Sequence, residues 1–323
     1  MPLLDVKNLK MYYGTMRGDV RAVDDVSFHI DEKEALGLAG ESGCGKTSAA
    51  LTILKLLPWN SKIIGGNITL SGENILKMSD SEFRQRIRWK KISIIFQGAM
   101  NALHPTYKVG HQIAEGIIKH ENVTKEEAWE RAAKLIELVG MERSRVDRYP
   151  HELSGGMKQR AVTAMALACN PDVVIADEPT TALDVIVQAQ VLNVMKDLRR
   201  RLHLSMLVIS HDLSLIAETC DKIAIMYAGK IVEYGDVVHL YKDPLHPYTD
   251  RLISAFPSVI GRKTEFSSIP GFPPDLLMPP PGCRFHPRCP YAMEICRKKE
   301  PPLVEVAGKE HLVACHLHGG EKA

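Results

Sequence analysis

The residues best suited to chemistry begin at Gly40–Thr47, GESGCGKT, which fits GxxxxGK followed by Ser or Thr. Gly43 and Gly45 let backbone N–H groups curl round phosphate oxygens with no Cβ in the way, and a helix start behind them adds positive potential. Lys46 is spaced to meet the β and γ phosphates, and Thr47 to ligate Mg2+. Gly40, Ser42, Cys44 and Ser48 complete the candidate contacts, with Cys44 expected to be only a small tolerated residue. Downstream, VVIADEP ends an apolar run in two carboxylates. Asp177 would hold Mg2+, directly or through water, and Glu178 would polarise the attacking water as general base. His211 ends the apolar run of LVISHD and Gln97 ends ISIIFQ. Both are expected at the strand edge where open α/β sheets bind ligands, with Gln97 at the metal or the lytic water. Leu153–Arg160, LSGGMKQR, is a second glycine turn leading into a helical run, and it looks like an anion site without a phosphate-loop lysine.

The tail suggests a different chemistry. Cys283, Cys289, Cys296 and Cys315 are separated by five, six and eighteen residues. In a reducing compartment such a cluster reads as metal ligation, not as disulfides. Four thiolates make a tetrahedral sulfur site, for zinc or for an iron–sulfur cluster. Zinc ribbons favour C-x-x-C pairs, which this tail lacks, and wider spacing suits the larger 4Fe–4S cube. The plainer role is a staple that orders a proline-rich tail unable to build its own core. His311 and His316, which flank Cys315, are expected to be solvated tail side chains, with outer-shell donors to the cluster as the alternative.

These side chains need elements to hold them. LLDVKNL and AVDDVSFHI read as short strands, EALGLAG as a buried strand ending at Gly40, and Lys46–Leu57 as a helix stopped by Pro58. GNITLSG and KISIIFQ are further strands. Residues from about 100 to 150 turn helical. Thr124 and Glu127 have capping-box spacing, Ala128, Ala132, Leu135, Ile136 and Val139 share one face, and Gly140 suits the stop. DVVIADEP, VIVQAQVLNVMKDLRRRL and SMLVISHD restore a strand–helix–strand alternation. Prolines accumulate after about Tyr241, in HPYT and PGFPPDLLMPPPG, and mark a boundary.

Bulk properties narrow the classes. The 323 residues suffice for about two domains. With 41 basic against 39 acidic residues, the charge gives no basic excess for a nucleic-acid surface. No apolar run approaches the roughly 20 residues of a membrane-spanning helix, and Met1 leads into no apolar leader. The expectation is a cytoplasmic protein that needs a partner if it works at a membrane.

Taken together, these motifs resemble the nucleotide-binding subunits of ABC transporters, with LSGGMKQR in the place of that family's signature. The resemblance implies an α/β fold: a P-loop NTPase core with a mixed sheet, an N-terminal antiparallel β subdomain, a helical subdomain inserted at about 100–160, and a cysteine-rich C-terminal tail. It implies a cassette over 1–250 and an extension over 251–323. It implies that two such subunits pair head to tail, so that Ser154, Gly155 and Gly156 of one chain cover the γ-phosphate of ATP held by the other. The second site then needs no lysine of its own. Ala182–Asp184 resembles the loop that crosses this interface, and Tyr13, with Tyr12 as fallback, resembles the aromatic that stacks on adenine.

Within the family, DEPTTALDV, HPYT, PGFPPDL and PGCRFHPRCP resemble the dipeptide and oligopeptide importers. That implies an ATPase at the cytoplasmic face of the membrane, paired with a second cassette, either a paralogue or another copy of itself. It also implies two permease subunits, an external binding protein acting indirectly, no nucleic acid, and a 4Fe–4S cluster in preference to zinc. Other readings are a soluble ABC-type ATPase, or an importer of nickel or oligosaccharides. Gly98 and Ala99 depart from the family's acidic residue and proline after Gln97, and His104 from its asparagine before Pro105. All three lie in the loop expected to meet the permeases.

Overall fold

The computed structural model describes residues 1–98, 101–181, 183–255, 269–306 and 310–318. Ala99, and Ala182 of the expected interface loop, lie outside the described residues. The strands and α-helices, in chain order, are β1 (Leu4–Thr15), β2 (Gly18–Ile30), β3 (Ala35–Ala39), α1 (Lys46–Ile53), β4 (Ser61–Leu70), β5 (Glu73–Asn74), α2 (Asp80–Arg86), β6 (Ile92–Ile95), α3 (Val109–His120), α4 (Lys125–Leu138), α5 (Gly155–Ala166), β7 (Val173–Asp177), α6 (Val185–Leu202), β8 (Ser205–Ser210), α7 (Leu213–Thr219), β9 (Lys222–Tyr227), β10 (Lys230–Asp236), α8 (Val237–Lys242), α9 (Pro247–Ser254), α10 (Glu294–Lys298), β11 (Val304–Glu305) and β12 (Leu312–Val313).

The chain divides into two compact units. One comprises Met1–Leu4, Ile30–Ala35 and Leu70–Ile209. Its strands β6, β7 and β8 are parallel, with Ile95 level with Ala176 and Asp177 level with Ile209. β7 is buried along its whole length, which is why it reads as an unbroken apolar run. α3, α4 and α5 pack on one another in this unit. α4 forms as its sequence requires: Thr124 Oγ1 accepts from the Glu127 N–H and Glu127 Oε2 accepts from the Thr124 N–H. Ala128, Ala132, Leu135, Ile136 and Val139 are buried, and Gly140 closes the helix at φ 75°.

The other unit comprises Asp5–His29, Leu36–Thr69 and Ser210–Ala323. Here β2, β1 and β4 lie side by side. β1 and β2 are longer than the short strands expected, because only Met16 and Arg17 separate them and the ladder runs on from that tight turn. β3 pairs parallel with β9, β9 antiparallel with β10, β10 with β12 and β12 with β11, so this sheet is mixed. The last two strands belong to the tail, which is thereby stitched into the unit that carries the phosphate loop. One expectation fails here. α1 stops at Ile53, not at Leu57, because Lys55 turns left-handed at φ 50° and the Leu56 N–H bonds back to the Leu51 carbonyl. That six-to-one bond is the Schellman closure, and it ends the helix before Pro58 can.

Candidate functional site

The phosphate loop bridges β3 and α1, and its glycines are needed for different reasons. A Cβ on Gly40 would sit 2.1 Å from the Met226 carbonyl oxygen, and one on Gly45 2.0 Å from that of Ala22. Gly43, at φ 81°, has nothing within 4 Å of the Cβ position, so it faces the open concavity where an anion would sit. Lys46 is 5% exposed and folds back, with Nζ donating to the carbonyls of Gly40 (2.7 Å) and Glu41 (3.1 Å). An arriving phosphate would exchange those two neutral acceptors for charged ones. Cys44 is buried beneath the loop, its carbonyl accepting from the Gly229 N–H (2.8 Å), and burial pushes its thiol pKa up. Ser42 and Thr47 are exposed, and Ser48 is half-buried. Tyr13 is half-buried at the end of β1, its hydroxyl 3.0 Å from Ser48 Oγ. The alternative, Tyr12, is committed to Asp24, to which it donates at 2.7 Å.

The acidic cluster forms in the other unit. Asp177 is 1% exposed at the end of β7. Glu178 follows in a left-handed conformation, φ 46°, with its N–H held by the Ile209 carbonyl at 2.9 Å. A non-glycine residue there stores strain, which is tolerated where it aims a functional group. The carboxylate is oriented by two donors on one oxygen: Gln97 Nε2 and Thr181 Oγ1 reach Glu178 Oε2 at 2.9 and 3.0 Å. The sequence reading put Gln97 at the metal or the lytic water; the structure puts it on the general-base candidate. Thr181 was missed, and the only signal for it was the polar pair that follows DEP. His211 is exposed immediately after β8.

The signature turn opens α5. Ser154 is exposed and N-caps the helix, its Oγ accepting from the Met157 N–H at 3.4 Å. Gly155 follows, half-buried. A Cβ on Gly156 would stand 2.5 Å from Val187 Cγ1, so only glycine lets α5 and α6 approach this closely. Asp184 caps α6 through the Val187 N–H at 3.0 Å, and the next two residues, Val185 and Ile186, are 80% and 73% exposed.

The four tail cysteines line one small cavity together with His246, Phe285 and His316. Burial pushes the Cys283 thiol up to about 12 and that of Cys315 up to about 11. Among the described residues, no group of three or more His, Cys, Asp or Glu side chains is set to hold a metal ion. The histidine expectation is corrected. His311 is no solvated tail residue: it is 8% exposed, with Nε2 2.7 Å from Glu233 Oε1. Glu233 is fully buried and also accepts the N–H groups of Leu245 and His246. An isolated carboxylate could not be kept there, and the three donors make its burial tolerable. His316 is half-buried against the Lys299 carbonyl at 2.9 Å.

Comparison with known proteins shows the family. The ABC transporter family matches residues 23–181, and the oligopeptide/dipeptide transporter C-terminal region matches residues 232–296. The oligopeptide transport ATP-binding protein OppD of Bacillus subtilis is 46% identical over 320 residues, covering 98% of this chain and 89% of that protein. OppD of Escherichia coli is 45% identical over 305 residues, covering 94% and 90%. The dipeptide transport ATP-binding protein DppD of B. subtilis is 42% identical over 318 residues, covering 98% and 94%. Among solved structures, a dimeric ATP-binding cassette in a post-hydrolysis state bound to ADP and Pi superposes with a TM-score of 0.65 at 26% identity, over 72% of this chain and 98% of that one. The chain has the ABC ATPase fold, and no helix among the described residues is long and apolar enough to cross a membrane. The chain belongs to the ATP-binding subunits of ABC transporters of the oligopeptide and dipeptide type.

Proposed function

We propose that this chain hydrolyses ATP in a head-to-tail pair of cassettes at the cytoplasmic face of a membrane, and that closure of the pair drives two permease subunits to import peptides. The observation that carries the hydrolytic part is the Gln97–Glu178–Thr181 cluster, a carboxylate held by two donors directly after a buried Asp177. Glu178 accepts a proton from the attacking water, whose oxygen bonds to the γ-phosphorus as the bridging bond to ADP breaks. Lys46 and the loop N–H groups hold the phosphates. Thr47 and Asp177 would each be a ligand for Mg2+, which would supply neutralising charge. His211 and Gln97 would each act on the reacting groups, and Tyr13 would carry the adenine.

Pairing is supported by the contrast between a phosphate loop with its own lysine and an exposed signature turn that has a helix N-terminus but no cation in the turn. The exposed Val185 and Ile186 beside the interface loop offer apolar area for a partner to cover. The solved relative is dimeric and holds ADP and Pi. ATP favours the closed pair, ADP does not, and that difference is the work available for transport. Peptide cargo is preferred to nickel or oligosaccharides because the matched relatives are named for oligopeptides and dipeptides. The partner is a paralogous cassette or a second copy.

The test is hydrolysis by the purified chain alone against the chain assembled with its second cassette and permeases in vesicles. The assembly should supply nearly all turnover. A monomer running at full rate overturns the shared site.

For the tail, the proposed group is a 4Fe–4S cluster on Cys283, Cys289, Cys296 and Cys315, supported by their convergence on one cavity. Its role is to staple the tail. Iron and sulfide assays on anaerobically purified protein test it, and stoichiometric zinc without iron overturns it.

A further inference from the structure

Glu41, the second residue of the phosphate loop, is held at three points. Its carbonyl accepts from Lys46 Nζ at 3.1 Å. Its N–H donates to the Tyr248 hydroxyl at 2.9 Å, and its carboxylate takes both ends of the Arg288 guanidinium, at 2.6 and 3.0 Å. Only the first of these comes from the loop itself. Tyr248 belongs to HPYT; it is fully buried and packs on the rings of Tyr227 and Phe285 at 4.6 and 5.4 Å. Arg288 lies in the segment between Cys283 and Cys289, and its side chain is 6% exposed. Its remaining donors are used as well: Nε on the Pro270 carbonyl at 2.8 Å, Nη2 on that of Gly271 at 3.3 Å and Nη1 on the Tyr227 hydroxyl at 3.3 Å. The guanidinium also lies over the Tyr227 ring, 5.8 Å from its centroid. A planar fork saturated in this way has one position available to it.

A carboxylate in the second position of an anion-binding loop opposes the anion unless its charge is cancelled. We propose that Arg288 is a positioning residue for nucleotide binding: from the cysteine tail it neutralises Glu41 and fixes the shape of the phosphate loop, with Tyr248 holding the same residue by its N–H. The tail thus acts on the ATP site from within the chain's own second unit. The inference rests on the reading of Gly40–Thr47 as that site.

The experiment measures Mg-ATP affinity calorimetrically on the full-length chain, with melting temperature as a folding check. Arg288→Gln should raise the nucleotide Kd about tenfold, a coupling of ordinary size, and Arg288→Lys should recover part of it by restoring the charge. In a Glu41→Gln background the Arg288→Gln loss should fall below about threefold, because no charge is left to neutralise. An equal loss in both backgrounds, or no loss in either, overturns the proposal. If Arg288→Gln alone does not fold, the double variant decides: affinity within about threefold of wild type supports the proposal, and a tenfold deficit overturns it. Wild type and Lys46→Ala run alongside. A wild type that binds no ATP overturns the site reading itself. A wild type that binds, with Lys46→Ala failing and Arg288→Gln unchanged, overturns only the role of Arg288.

Discussion

The glycine turns that open α1 and α5 are finished to different degrees. In the phosphate loop, Gly40 and Gly45 press against backbone carbonyls, Lys46 is tucked into the loop, and Glu41 is clamped by Tyr248 and Arg288. The signature turn has a capping serine, one packed glycine against Val187 and an exposed rim. The first turn is built to take a highly charged ligand by itself. The second offers hydrogen-bond donors and a helix N-terminus but no cation in the turn, and on the proposed pairing the charge comes from a partner. If the proposed pairing holds, an anion-binding shape and an anion-binding charge are divided between two chains.

The hardest blow to this contrast is Glu178→Gln. Turnover in the assembled complex should drop by about 100- to 10,000-fold while ATP binding persists and a closed dimer accumulates. Unchanged phosphate release would remove Glu178 as the base. Next is Lys46→Ala, which should weaken Mg-ATP binding to the isolated chain by about 10- to 100-fold, the worth of hydrogen bonds to a charged group. Ser154→Arg sharpens the comparison from the other side. The isolated chain should bind ATP as before, yet the complex should lose about a hundredfold in hydrolysis. Were binding by the isolated chain lost instead, the signature would be serving its own nucleotide.

The smallest effect is on stability, through His246 of HPYT. Burial pushes its imidazole down to about 4 from an ordinary 6.5, with Glu233 opposing and His318 adding to the shift. The unfolded chain therefore takes the proton first. The stability contribution is complete above about pH 6.5 and is lost as pH falls towards 4, with a slope of at most about one proton per pH unit. His246→Asn keeps an acceptor for the Tyr248 N–H, which His246 Nδ1 now provides at 3.0 Å. It should flatten the melting-temperature profile over that range, and an unaltered profile would assign the acid sensitivity elsewhere.

Local features were legible from residue order alone. GxxxxGK sets the loop between β3 and α1, the Thr124–Glu127 spacing sets the start of α4, and VIVQAQVLNVMKDLRRRL coincides with α6. The physical reason is that glycine conformations, caps and apolar periods act within a few residues. Which distant groups meet was settled by packing. It brought Gln97 onto Glu178, 81 positions away, and gave Glu233 the tail's His311, 78 positions away. It clamped Glu41 with an arginine 247 positions further on. Such pairs leave no periodic trace, because their geometry exists only once separate strands and the tail have packed. The end of α1 is the exception to this division: it is local, yet Pro58 was the visible stop and a left-handed Lys55 closed the helix first, through a backbone bond that no residue type announces.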